Sequence, residues 1–167
     1  SDFTNSKNTF GVIYIVRDPR NMISSIANHY QHDFKTSTDF LLEERKLLFV
    51  TDPKDPKHKS ETNIVNLLGS WKNHYNSWKI SSNLIIIRYE DLITDTKSQI
   101  NKLILFLKKF GDFKTSNEKI DNIIRTTSFE TLQKKEEKDG FKEAVNKKIK
   151  FFNLGPKNTW KNNIDEK

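Results

Sequence analysis

The stretch Gly11–Tyr30, GVIYIVRDPRNMISSIANHY, constrains the fold of this chain more than any other. Val12 to Val16 is apolar throughout and rich in β-branched residues, the composition of a buried strand. The run stops at Arg17. Asp18 can cap a helix, and Pro19 fits its first turn, where a missing N–H costs nothing. Met22, Ile23, Ile26, Ala27 and Tyr30 then fall on one helical face. A strand, a tight turn and a helix in this order predict a parallel α/β domain. They also put the Arg17 cation at the carboxyl end of a strand beside a helix N-terminus, where open α/β sheets bind anions. Ser25 adds a hydroxyl eight positions after the arginine.

The remaining chain is compatible with a single domain over residues 1–167. Apolar content is 34%, low for a whole globular domain, and 31% of residues are charged. The apolar residues nevertheless cluster in periodic runs. Lys and Arg number 29 against 22 Asp and Glu, so the net charge is +7 and an anionic partner is favoured. The absence of cysteine excludes disulfides and thiolate metal sites. No run approaches the roughly eighteen apolar residues of a membrane span, and the start of the sequence does not read as a signal peptide. These features predict a soluble chain of the cytoplasm.

Along the chain, Ser1–Phe10 reads as a loop and Gln31–Thr38 as a connection. Asp39–Val50 reads as a helix with Phe40, Leu41, Leu47 and Leu48 inward. The two prolines and alternating charges of Thr51–Glu61 predict a loop. Ile64, Leu67, Leu68, Trp71, Tyr75 and Trp78 predict a helix over Thr62–Lys79. Leu84–Ile87 is a second short strand, ending in Arg88-Tyr89-Glu90-Asp91. Tyr89 thus sits on the same sheet edge as Arg17. Glu90 and Asp91 can act as an acid pair or, more simply, as acids at the start of the next helix. That helix is expected to run through Ile100, Leu103, Ile104 and Leu107 to Gly111. Asn117–Thr126 forms a further helix, followed by Thr127-Ser128-Phe129. Lys134–Lys150 is charge-dense and expected to be exposed.

Five of these segments, spread in order from Gly11 to Asn162, resemble the PAPS-dependent sulfotransferases. PAPS is 3′-phosphoadenosine 5′-phosphosulfate; PAP is the product left after sulfuryl transfer. Arg17-Asp18-Pro19-Arg20 with Ser25 resembles the family's 3′-phosphate-binding segment. Gly69-Ser70-Trp71 with His74 and Trp78 resembles the helix before the next strand, which implies a structural His74. Tyr89-Glu90-Asp91 resembles the segment whose tyrosine lies beside the adenine. Thr127-Ser128-Phe129 resembles the segment that sets a threonine and an aromatic against that ring, although it could equally be an ordinary helix cap. Phe151-Phe152-Asn153-Leu154-Gly155 with Trp160-Lys161-Asn162 resembles the late phosphate-binding loop.

The resemblance implies a P-loop nucleotide-kinase-like parallel sheet flanked by helices. It implies Arg17, Ser25, Tyr89, Thr127, Phe129 and Gly155 as donor-site residues. It also implies PAPS as donor and an acceptor that the sequence does not identify. The match departs from the family at Asn153 and Leu154, where relatives carry Arg-Lys; Lys150 or Lys157 could restore the charge. It covers the second part of the family's domain. The glycine- and lysine-bearing loop around the 5′-phosphosulfate has no counterpart, and no G-x-x-x-x-G-K occurs. The general base is therefore expected upstream of Ser1, since none of His29, His32, His58 and His74 sits in a motif that marks a base. These omissions predict a carboxyl-terminal portion that is inactive alone. Two other classes remain open: a non-catalytic basic module for nucleotide or RNA, and a folded but inactive remnant. Interleaved aromatic and basic surface motifs, which RNA binding would favour, are absent.

Overall fold

In the computed structural model, which describes residues 7–49, 65–141 and 149–162, the chain is α/β, with helices accompanying a parallel strand pair and a short antiparallel one. Strand β1 (Val12–Val16) leads through Asp18 into helix α1 (Pro19–Tyr30). The Asp18 carboxylate accepts from the backbone N–H of Arg20 at 2.9 Å and from its guanidinium at 2.6 Å. Those hydrogen bonds hold its pKa below the ordinary carboxylate value. Ile23 and Ile26 from α1 are buried against Leu41 of helix α2 (Phe34–Leu42), and Met22, Phe40 and Trp71 pack around them. Each such aliphatic side chain stabilises the fold by about 1.5–3 kcal/mol on burial.

The parallel pairing expected from the sequence is present. β1 pairs with β4 (Leu84–Arg88) in the register Val12↔Leu84 to Val16↔Arg88. This register makes Arg17 and Tyr89 the first residues past the ends of two neighbouring strands. Among the described residues β1 has no second strand neighbour. Ile13 and Ile15, which share one face of the pair, are 44% and 57% exposed, so β1 is not the fully buried strand its composition predicts. Helix α4 (Tyr89–Thr94) follows β4 directly, and its Glu90 Oε1 accepts the backbone N–H of Asp18 at 2.9 Å. The acid pair thus takes its simpler role: Glu90 and Asp91 occupy a first helical turn, and Glu90 ties the two strand ends together.

Four expected elements have different bounds. The connection expected at Gln31–Thr38 contains the start of α2, because Asp33 caps it by accepting the Thr36 N–H at 2.6 Å. The helix expected over Asp39–Val50 ends at Leu42, and Leu47–Phe49 forms strand β2. The helix expected over Thr62–Lys79 is a strand, β3 (Val65–Leu67), then helix α3 (Trp71–Lys79). β2 and β3 pair antiparallel, Leu47 opposite Leu67. The break lies at Gly69, whose φ of +67° no continuing helix tolerates, and at Ser70, which caps α3. The loop expected at Thr51–Glu61 and His58 lie outside the described residues.

The helix expected to run from Glu90 to Gly111 divides at Asp95. This residue caps α5 (Thr96–Leu107) by accepting the Ser98 N–H at 3.1 Å. Helix α6 (Asn117–Thr126) has its expected bounds. Helix α7 (Phe129–Asp139) then leads towards the last described segment, which holds two short 3₁₀ turns, Gly155–Lys157 and Trp160–Asn162. No described helix is long and apolar enough to cross a membrane.

Candidate functional site

Arg17, Ser25, Tyr89, Thr127, Phe129 and Gly155 all line one cavity of about 1250 Å³. They come from five places in the chain. The β1–β4 register brings the first two strand ends together, and the Arg17 guanidinium carbon stacks 4.3 Å from the Tyr89 ring centroid. Stacking fixes the guanidinium plane without using its donors. One of those donors, Nη2, reaches the Gly155 carbonyl oxygen at a long 3.4 Å. Nε is buried with no hydrogen-bond partner among the described residues. A buried, unsatisfied N–H on a permanent cation carries a desolvation cost that an anion would remove.

Ser25 is exposed on α1, and its Oγ accepts from Asn158 Nδ2 at 3.4 Å. Asn158 is itself buried. Its amide also donates to the Asn21 carbonyl at 2.8 Å and accepts from Ser24 Oγ at 2.7 Å. The Trp160 N–H donates to Asn21 Oδ1 at 2.8 Å, and Arg20 stacks 4.3 Å over the Trp160 ring. These contacts fasten the last segment to α1. Asn158 and Asn21 carry no sequence motif of their own, so only the tertiary pairing reveals them.

Phe129 and Gly155 meet directly. Gly155 has φ +51°, and a Cβ there would stand 2.2 Å from a Phe129 ring carbon. The position therefore demands glycine for two reasons: a left-handed backbone and a ring lying where a side chain would go. Phe129 also meets Phe152 edge to face, centroids 6.2 Å apart. Thr127 lines the cavity while its Oγ1 donates to the Ile123 carbonyl at 2.7 Å. Ser128 caps α7, accepting the Thr131 N–H at 3.2 Å. Helix capping and cavity lining are thus combined in one tripeptide.

The two candidate replacement cations differ. Lys150 lines the cavity, but its ammonium pairs with Glu137 at 2.7 Å; the hydrogen bond and the charge raise its pKa and lower that of Glu137. Lys157 is exposed and does not belong to the cavity lining. Asn153 and Leu154 do line it, both exposed.

His74, Tyr14 and Trp71 also line the cavity. Trp78 Nε1 donates to His74 Nε2 at 3.2 Å, and His74 Nδ1 lies 2.9 Å from the Tyr14 hydroxyl. An indole N–H only donates, so Nε2 must present its lone pair and the neutral ring carries its proton on Nδ1. The Tyr14 oxygen then accepts from Nδ1. Burial, with a smaller push from Tyr75, raises the Tyr14 pKa. Because the one unprotonated nitrogen of His74 is occupied by Trp78, the ring is held as a structural element. Met22, Phe40, Leu41 and Leu68 add apolar surface to the lining.

Comparison with known proteins decides the family. The model of the sulfotransferase domain matches residues 4–167. The chain belongs to the sulfotransferase family. It is 30% identical over 133 residues to sulfotransferase 1E1 of Mus musculus, an alignment covering 72% of this chain and 43% of that protein. Sulfotransferase 2A1 of Macaca fascicularis is 26% identical over 164 residues, covering 92% of this chain and 50% of the relative. The 3-beta-hydroxysteroid sulfotransferase of Cavia porcellus is 28% identical, covering 75% and 39%. The chain thus spans half or less of the length of these relatives. In fold it resembles the crystal structure of mouse sulfotransferase SULT7A1 complexed with PAP, with a TM-score of 0.64, 21% identity, and coverage of 93% of this chain and 52% of that one. The α/β, P-loop-like architecture expected from the sequence is the one this sulfotransferase has.

Proposed function

We propose that this chain forms the 3′-phosphate and adenine side of a PAPS site, as part of a cytoplasmic sulfotransferase domain that transfers a sulfuryl group to a hydroxyl or amine. Bound PAPS would supply the activated sulfuryl group. The carrying observation is the Arg17 guanidinium: stacked on Tyr89, facing a cavity, with a buried Nε that lacks a partner among the described residues. Its fork can hold a phosphate through two N–H groups, and the Ser25 hydroxyl can add a third donor. Tyr89, Phe129 and Thr127 offer aromatic and hydroxyl surface for a purine. Sulfuryl transfer, like phosphoryl transfer, depends mainly on positioning and charge stabilisation. In this reading these residues position the donor. The apolar surface of Met22, Phe40, Leu41 and Leu68 suits an apolar acceptor bearing the reacting group.

Photolabelling with 8-azido-adenosine 3′,5′-bisphosphate tests the placement. The label is expected on peptides holding Tyr89 or Phe129, and unlabelled adenosine 3′,5′-bisphosphate should displace it. Label confined to other peptides, or equal displacement by single-stranded RNA that fades steeply with salt, would instead support a basic binding module.

The neutral late loop yields a second expectation. Asn153 and Leu154 line the cavity where relatives carry two cations, and Lys150 is already paired with Glu137. The double variant Asn153→Arg, Leu154→Lys should bind adenosine 3′,5′-bisphosphate at least about tenfold more tightly, the effect of one charge-assisted contact. Isothermal calorimetry reads this directly; unchanged affinity would mean that the two side chains do not reach the phosphate.

A further inference from the structure

Helix α7 presents Phe129, Gln133 and Glu136, spaced i, i+4 and i+7, along one face to the late loop. Phe129 lies beneath Gly155. Gln133 Nε2 donates to the Phe152 carbonyl at 2.9 Å and reaches the Asn153 carbonyl at 3.5 Å. Glu136 Oε1 accepts the Phe151 N–H at 2.6 Å, and its Oε2 accepts the Phe152 N–H at 2.9 Å. One carboxylate therefore satisfies two consecutive backbone donors, each bond charge-assisted and short. Around it, Lys134, Lys135, Glu137 and Lys138 are exposed, whereas Gln133 and Glu136 are half-buried. Within this charge-dense stretch, expected to be exposed, Glu136 is half-buried.

We propose that Glu136 is a positioning residue that sets the late loop against the cavity by holding its first two backbone amides from α7. The proposal rests on the reading of Gly155 and its neighbours as the 3′-phosphate side of the donor site. Phe151 and Phe152 begin the loop, and the chain must turn within the next residues to bring the Gly155 backbone beside Arg17. On the α1 side the loop is fastened by Asn28, whose Nδ2 donates to the Lys150 carbonyl at 3.2 Å, and by Asn158. Glu136 is the anchor on the opposite side. Without it, two amide donors lose their acceptor, and the loop keeps its α1 attachments and the Gln133 and Glu137 contacts of α7 but not the hold on its Phe151 and Phe152 amides. Gly155 then leaves the position in which its backbone N–H could donate to an anion held by Arg17.

Two measurements on the full chain test this, with Glu136→Ala and Glu136→Gln. The first needs no ligand. In free protein, amide hydrogen exchange at Phe151 and Phe152 should be slow in the wild type and at least about tenfold faster at both in Glu136→Ala. In Glu136→Gln one acceptor oxygen remains, so only one of the two amides should lose protection. Wild-type exchange rates at both amides in Glu136→Ala would overturn the proposal. The second uses nucleotides. Glu136→Ala should weaken adenosine 3′,5′-bisphosphate about tenfold and AMP by less than about twofold. Equal losses for both nucleotides would overturn the positioning role. A wild-type chain indifferent to the 3′-phosphate would overturn the donor-site reading instead, and amide exchange would still decide whether Glu136 holds the loop.

Discussion

Arg17→Ala is expected to weaken adenosine 3′,5′-bisphosphate binding ten- to a hundredfold. Among the described residues the guanidinium has an unsatisfied buried Nε, a single long hydrogen bond to the Gly155 carbonyl, and a plane fixed by Tyr89. It therefore pays little ordering entropy on meeting a phosphate, and its contact should be worth about 1.5–3 kcal/mol. The loss should be much smaller for AMP, so the variant should also lose its preference between the two nucleotides. Folding should tolerate the change, because Arg17 makes no ion pair in the structure with a described residue. Arg17→Lys separates charge from shape: an ammonium keeps the charge but not the planar fork, and should recover only part of the affinity. Calorimetry on the three proteins checks the order wild type, lysine, alanine.

Gly155→Ala should damage the site through its backbone. A Cβ at φ +51° adds about 1–2 kcal/mol of left-handed strain. It would also fall 2.2 Å from one Phe129 ring carbon and 2.5 Å from two others, so the ring or the loop must move. Either movement disturbs both the purine surface and the backbone beside Arg17, and nucleotide affinity should fall by more than about tenfold. The steric and conformational parts can be separated. Phe129→Ala removes the ring, so in that background Gly155→Ala should cost less, by a coupling energy within about 0.5–3 kcal/mol. The strain from φ should persist. Chemical denaturation of the four proteins measures the coupling, and additive effects would show that ring and glycine do not meet.

The candidate site was more legible in the sequence than the elements between its parts. Arg17 and Tyr89 could be placed on one sheet edge because each follows a short apolar run, and the observed register sets them side by side. Helix α1 and its Asp18 cap follow from local chemistry alone. The errors have a common origin in apolar spacing. Leu47 and Leu67 fit a helical period, yet they face each other across an antiparallel pair formed by segments far apart in sequence. Short paired strands leave a weak local signal, whereas Gly69-Ser70 carried a strong one: a left-handed residue followed by a helix cap. Asp33 and Asp95 were cap signals of the same kind. Asn158 and Glu136 were not legible, since their roles depend on backbone groups brought near by the fold.

The most direct test of the donor-site assignment is the affinity of the wild-type protein for adenosine 3′,5′-bisphosphate against AMP, measured by calorimetry at one salt concentration. The two ligands differ only in the 3′-phosphate, the group assigned to Arg17 and Ser25. Binding should be saturable and at least about tenfold tighter for the bisphosphate, as one charge-assisted contact requires. Equal affinity for the two nucleotides would contradict the assignment.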